Sequence, residues 1–271
     1  MIKRGLALSP KPTKFSPLFF SGNLEYGIKT AADLGFDGVE ISVCNPDELD
    51  PKAIFSLVNE FGLEVVTIAT GQSYVDDGLP LVTDDGTLLC AAIDRLKKVI
   101  DFAHEVGSLN VTLGGVRGKN IYASHDEMVS GLVDPLQALA EYAGRYGVGI
   151  LLEPVNRYEV STIFRLEQAY SLLKNIDCEN LKLLYDVYHA NIEEASIIAP
   201  IIAFSEHIGS VHFADSNRLT MFSGHIDFFE IIKALDSVSY DGYVTVEALP
   251  LPDDMTAATR AKQAFDTLFW R

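Results

Sequence analysis

The chain has 271 residues, 48% of them hydrophobic and 22% charged, and its 21 Lys plus Arg against 38 Asp plus Glu give a net charge of −17. That length suffices for one large core, and the composition is that of a soluble globular protein. The acidic balance repels phosphate backbones and anionic lipid over a Debye length, which argues against nucleic acid and membrane as partners.

In chain order, short apolar strands alternate with helical segments. Strands are expected near 5–9, 38–43, 64–69, 110–114, 148–153, 181–186, 209–214 and 243–249. Helices are expected near 23–34, 51–61, 87–106, 126–146, 165–176, 193–204, 227–236 and 255–269. Asp50-Pro51 offers an N-cap followed by proline at the first helical position. Gly35, Gly62, Gly107 and Gly147 each sit just past a helix, where a left-handed cap is needed. Eight βα units imply a parallel sheet, and eight strands close a barrel. The expected architecture is α/β, a single-domain (β/α)8 TIM barrel over residues 1–271. A doubly wound open sheet is the alternative, but no Gly-x-Gly-x-x-Gly follows the first strand.

Cys44, Cys90 and Cys178 are odd in number, widely spaced and not in a Cys-x-x-Cys arrangement. That pattern fits a reducing compartment without a disulfide framework. The start "MIKRGLALSP" shows neither a secretory signal nor a membrane span, so the expected location is cytoplasmic.

"VGILLEPVNRYE" (148–159) poses the functional question, because a buried apolar strand ends abruptly in Glu153. In a barrel of this kind, function gathers at the C-terminal ends of the strands. Strand five ends in Glu153. Strand six, "LKLLYDVYH", reaches Asp186 and then His189. Strand seven, "GSVHFADSNR", carries His212, and strand eight, "GYVTVEALP", carries Glu247. Glu153, Asp186, His212 and Glu247 follow one another at 33, 26 and 35 residues, about one βα unit each. Three carboxylates and an imidazole on one rim repel one another unless a cation joins them. Three oxygen donors and one nitrogen suit one divalent ion, Mn²⁺, Mg²⁺ or Co²⁺, better than a thiolate-loving one.

"EPVNRYE", "DVYHANIEE", "HFADSNR" followed by "GHIDF", and "GYVTVEALPLPD" closely resemble the xylose-isomerase-like barrels. They look most like the ketose 3-epimerase and sugar isomerase/epimerase branch, which includes 5-keto-gluconate epimerases. One departure is Pro154, where many ketose 3-epimerases have Val. The resemblance implies Glu153, Asp186, His212 and Glu247 as metal ligands, with Glu153 and Glu247 also the acid/base pair. It implies His189 and Arg218 as holders of substrate oxygens and Glu159 as a polar pocket residue. The implied activity is metal-dependent epimerisation of a sugar or sugar acid through an enediolate. Aldose–ketose (or hydroxypyruvate-type) isomerisation is the alternative on the same site. A homo-oligomer, dimer or tetramer, is left open.

Weaker signals complete the reading. "LGGVRGK" (113–119) offers glycines for close backbone approach and Arg117 for an anionic group, or else a tight turn with a solvated Arg. "TGQSY" (70–74) offers polar groups to a pocket. The first loop, "KPTKFSPLFFSG", places Phe15, Phe19 and Phe20 as a hydrophobic wall over the sugar or as a subunit contact. "LPLPDD" after strand eight lacks the glycines of a phosphate cradle. That favours an unphosphorylated sugar, or a sugar acid whose carboxylate meets Arg117 or Arg218. Type IV AP endonucleases share Asp-x-x-His and His-x-x-Asp-Ser, but the extra histidines of their metal cluster have no counterpart at Thr70, Gly71 or Gly114. A non-catalytic sugar-binding barrel would have no use for both carboxylates of the acid/base pair.

Overall fold

The computed structural model describes residues 1–176 and 178–269. Eight strands, β1 (Lys3–Leu8), β2 (Gly38–Ser42), β3 (Glu64–Ala69), β4 (Asn110–Leu113), β5 (Gly149–Leu152), β6 (Leu181–Asp186), β7 (Ile208–Phe213) and β8 (Tyr243–Val246), close a barrel in chain order. All eight pairings are parallel, β8 returning to β1. The expected (β/α)8 barrel is therefore the observed one. Among the described residues, no helix is long and apolar enough to cross a membrane.

Successive side chains of a strand face opposite ways, and registered neighbours share a face. Leu6, Leu8, Val39, Ile41, Ile68, Val111, Ile150, Leu152, Leu183, Val211, Phe213 and Val246 are fully buried in the core that joins barrel to helices. The alternate set faces the barrel interior and is more polar: Glu40 pairs with Thr67, and Asp186 with His212 and then Thr245. Space there is tight, since a Cβ on Gly5 would run into the Thr245 side chain.

Local chemistry starts and stops the helices as expected. The Asp50 side chain accepts the amides of Lys52 and Ala53, and Gly35, Gly62, Gly107 and Gly147 take φ of 69–80°. One expected helix is split, and another is shortened and preceded by a further helix. The segment 126–146 forms His125–Ser130 and Val133–Gly144, because Pro135 has no N–H to continue a helix through Gly131. Helix Val187–Glu193, which has no counterpart among the expected helices, precedes Ile198–Ala203, the α-helix that forms within the expected 193–204. The first of these starts directly off β6, because Asp186 accepts the amides of Tyr188 (2.7 Å) and His189 (3.2 Å). One carboxylate thus ends a strand, caps a helix and fixes where His189 lies.

Candidate metal centre at the barrel mouth

Glu153 and Glu247 each stand one residue beyond their strand, Asp186 ends β6, and His212 lies within β7. All four are buried. His212 Nδ1 is 3.9 Å from Glu153 Oε1, 3.9 Å from Asp186 Oδ2 and 3.8 Å from Glu247 Oε2. It is a buried nitrogen with no hydrogen-bond partner. The ligand atoms of Glu153, Asp186 and His212 lie within 4.8 Å of one another. An orphaned imidazole nitrogen facing three buried carboxylates is a donor set that fits a divalent cation.

Without a cation, the electrostatics of the cluster are conflicted. Burial pushes the Glu153 carboxyl well above its ordinary value, with the negative charges of Glu247 and Asp186 adding to the rise and His212 opposing it. Burial also pushes Glu247 up to about 7 against the pull of Arg218 and His212. Asp186 feels the same desolvation, yet Arg218, His189 and His212 together hold it below the ordinary range. For His212, desolvation favours the neutral ring, but the attraction and hydrogen bond of Glu40 win and raise it to about 10.

A second tier frames the cluster. Arg218 donates to Asp186 Oδ2 at 3.1 Å and also contacts Glu247 Oε2, and its guanidinium stacks 4.4 Å from the Tyr188 ring centroid. It takes φ 61°, a left-handed conformation uncommon for a residue with a side chain. His189 turns Nε2 towards Asp186 (3.8 Å) and Glu153 (3.9 Å). Burial keeps this imidazole neutral, with its pKa lowered to about 4. Asn156 lies 2.8 Å from His189 Nδ1 and donates to Glu159 Oε1 at 2.8 Å, so it ties two of the expected pocket residues together.

The cavity over this cluster is lined by Glu153, Glu159, His189, His212 and Glu247, with Ser42, Ala69, Gly71, Thr112, Gly115, Val155 and Phe15 completing the wall. Of the first-loop aromatics, Phe15 reaches it, whereas Phe19 and Phe20 are buried in the core. Gly71 is the part of "TGQSY" that reaches the cavity; the Thr70 and Gln72 side chains are bonded to Thr112 O and Ser9 Oγ.

Arg117 requires a correction. It is neither a ligand for an anion nor solvated. It is fully buried and donates to the carbonyls of Leu113 (2.8 Å), Glu153 (2.6 Å), Thr162 (3.3 Å) and Ile163 (3.2 Å). Its work is to hold the chain on either side of the Glu153 tip. Glu40 was not anticipated from the sequence. It is fully buried in β2, with Oε2 2.9 Å from His212 Nε2 across the barrel. The available signal was a glutamate at the centre of "GVEIS", on the inward phase of an otherwise buried strand.

The profile of a family described as Xylose isomerase-like TIM barrel matches residues 28–268. The ketose 3-epimerase of Arthrobacter globiformis is 28% identical over 233 residues, covering 85% of this chain and 79% of that protein. The 3-dehydro-D-guloside 4-epimerase of Escherichia coli K12 is 27% identical over 268 residues, covering 93% and 95%. Among solved structures, an L-ribulose 3-epimerase superposes with a TM-score of 0.87 at 23% identity, covering 100% of this chain and 95% of that one.

Proposed function

The chain belongs to the xylose isomerase-like TIM barrel family, and on that premise we propose that it is a sugar epimerase, an isomerase that inverts a carbon next to a ketone, with one divalent cation, Mn²⁺ by preference, held by Glu153, Asp186, His212 and Glu247. The names of the two curated relatives share one chemistry. A 3-epimerase of a 2-ketose and a 4-epimerase of a 3-dehydro sugar both invert the centre adjacent to a carbonyl. The observation that carries the reading is the convergence of three buried carboxylates on the unbonded Nδ1 of His212.

A proton on carbon beside a ketone is a weak acid, and the negative charge released onto the substrate oxygens must be stabilised. A divalent cation bound in the cluster supplies that stabilisation. Glu153 and Glu247, 3.9 and 3.8 Å from the His212 nitrogen and just past the ends of β5 and β8, are the proton carriers. One removes the proton from one face of the carbon, and the other returns a proton to the opposite face. His189 and Glu159, joined through Asn156, hold substrate hydroxyls, and Phe15 keeps water from the reacting carbon.

The favoured substrate is an uncharged sugar rather than a sugar acid. Among the described residues no lysine or arginine lines the cavity, Arg117 is committed to backbone carbonyls, and Arg218 is committed to Asp186 and Glu247. The decisive experiment incubates Mn²⁺-loaded protein with 2-ketopentoses, 2-ketohexoses, 3-keto-glycosides and keto-acids, and identifies products by chromatography and NMR. An epimer at the carbon next to the ketone is expected from a neutral substrate. An aldose as the sole product would make the enzyme an aldose–ketose isomerase, and turnover confined to keto-acids would overturn the neutral-substrate assignment.

A further inference from the structure

We infer that Glu40 is a positioning residue that fixes the ring of His212, so that Nδ1 faces the three carboxylates. The inference rests on the reading of that cluster as a cation site. Glu40 occupies the middle of β2, is fully buried, and lies between Val39 and Ile41, which belong to the packed core. Its Oε2 is 2.9 Å from His212 Nε2 on β7, a strand that does not adjoin β2. A carboxylate held in a barrel interior is costly unless its bonds repay the desolvation. The only hydrogen bond that the Glu40 side chain makes among the described residues is the one to this ring; its Oε1 has no partner.

The two nitrogens of an imidazole diverge, so anchoring one directs the other. With Nε2 anchored on Glu40, Nδ1 is left pointing at Glu153, Asp186 and Glu247 at 3.8–3.9 Å. Glu40, His212 and Glu247 also lie close enough to form an alternative three-donor cluster. In that arrangement Glu40 would be a ligand and Nε2 the metal-binding nitrogen. The hydrogen-bonding pattern argues otherwise: Nε2 already has a partner, and the nitrogen without one is Nδ1. An outer carboxylate on the far nitrogen of a ligating histidine orients the ring and raises its basicity, and its loss typically weakens metal binding about 10–100-fold.

The test compares wild type, Glu40→Gln and Glu40→Ala with a His212→Ala control by two measurements. Calorimetric titration with Mn²⁺ should show affinity falling about 10–100-fold in Glu40→Ala, and by less in Glu40→Gln, whose amide oxygen still accepts from the ring. Nitrogen-15 NMR of the histidine rings in metal-free protein should show a slowly exchanging, downfield Nε2 proton for His212 that survives in Glu40→Gln and is lost in Glu40→Ala. Should Glu40→Ala fail to fold, Glu40→Gln decides on its own by a weaker Mn²⁺ affinity with an upfield shift of that proton. Wild-type Mn²⁺ affinity in both glutamate variants would overturn the inference, as would a His212 ring proton indifferent to them. A wild type that binds no Mn²⁺ would refute the cation site itself, and the ring proton would still decide whether Glu40 anchors the ring.

Discussion

Gly114 packs against the Glu153 side chain, and a Cβ built at position 114 would fall inside the van der Waals envelope of Glu153 Oε2. The tip of β4 is therefore bare because the tip of β5 needs that volume. Gly114→Ala should displace the carboxylate while leaving the fold intact. Because general acid–base catalysis is worth about 10²–10⁴-fold, kcat is expected to fall by at least ~10-fold, with melting temperature little changed. Unchanged kcat and Mn²⁺ affinity in this variant would show that Glu153 has slack in its placement.

Arg117 should behave as a structural residue. Its guanidinium satisfies four backbone carbonyls in a fully buried setting. A lysine reaches fewer acceptors and lacks the planar fork. Arg117→Lys is expected to lose roughly 2–4 kcal/mol in urea unfolding, given about 1–3 kcal/mol for each buried group left unsatisfied. The ratio of activity on neutral to anionic substrates should stay the same. A selective loss of turnover on keto-acids, with stability intact, would restore the anion-binding role.

The contrast between Arg117 and the carboxylate–histidine cluster marks how far the sequence was legible. Glu153, Asp186, His212 and Glu247 were readable because each closes or ends an apolar run, and the spacing of βα units brings such positions to one rim. The barrel followed from eight such runs with their caps. Arg117 was not readable, because the carbonyls it serves come from three separate segments, and only the folded loops bring Thr162 and Ile163 beside Leu113. Glu40 was hidden for a related reason: its partner lies 172 positions away, on a strand across the barrel. The short helix Val187–Glu193 has no counterpart among the expected elements, because it rests on a second role of Asp186, as a cap as well as the end of a strand.

Metal-free protein should lose stability on balance from pH 5 to pH 8, because His189, lowered to about 4, adds stability only up to pH 6.5, whereas Glu247, Glu153 and His212 lose it. Burial lifts the Glu247 carboxyl from 4.5 to about 7, and Glu153 moves the same way. Between about 4.5 and 7 the folded state keeps a proton that the unfolded chain releases, so stability falls across that window. His212, raised from 6.5 to about 10, extends the decline: its contribution is full below 6.5 and is lost as pH passes through about 10. Calorimetry in EDTA should show the melting temperature dropping by several degrees from pH 5 to pH 8, since ~1 kcal/mol moves it about 2–4 °C at this size. Glu247→Gln should flatten the acid part of the decline, and saturating Mn²⁺ should oppose it by favouring the ionised carboxylates. Identical slopes in wild type and Glu247→Gln would contradict a buried, proton-holding Glu247.

The two glutamates should act on one carbon from opposite faces. Glu153 Oε1 and Glu247 Oε2 are 3.9 and 3.8 Å from the same His212 nitrogen, and they arrive on β5 and β8. They differ in surroundings: Glu247 is in direct contact with Arg218, whereas the hydrogen bond that Arg117 gives Glu153 goes to its backbone carbonyl. A cation beside both favours their ionised forms, so either can take the first proton at neutral pH. Replacing one with Gln keeps an oxygen donor but removes a proton carrier, which predicts a loss of about 10²–10⁴-fold in epimerisation. In D₂O the wild type should place deuterium at the inverted carbon. Each Gln variant should fail to invert, yet the surviving glutamate should still exchange the proton on its own face, so Glu153→Gln and Glu247→Gln should wash deuterium into opposite epimers. NMR of recovered substrate reads this directly. Inversion without solvent deuterium would point to a single shuttling base, and exchange into the same epimer by both variants would mean that one carboxylate serves both faces.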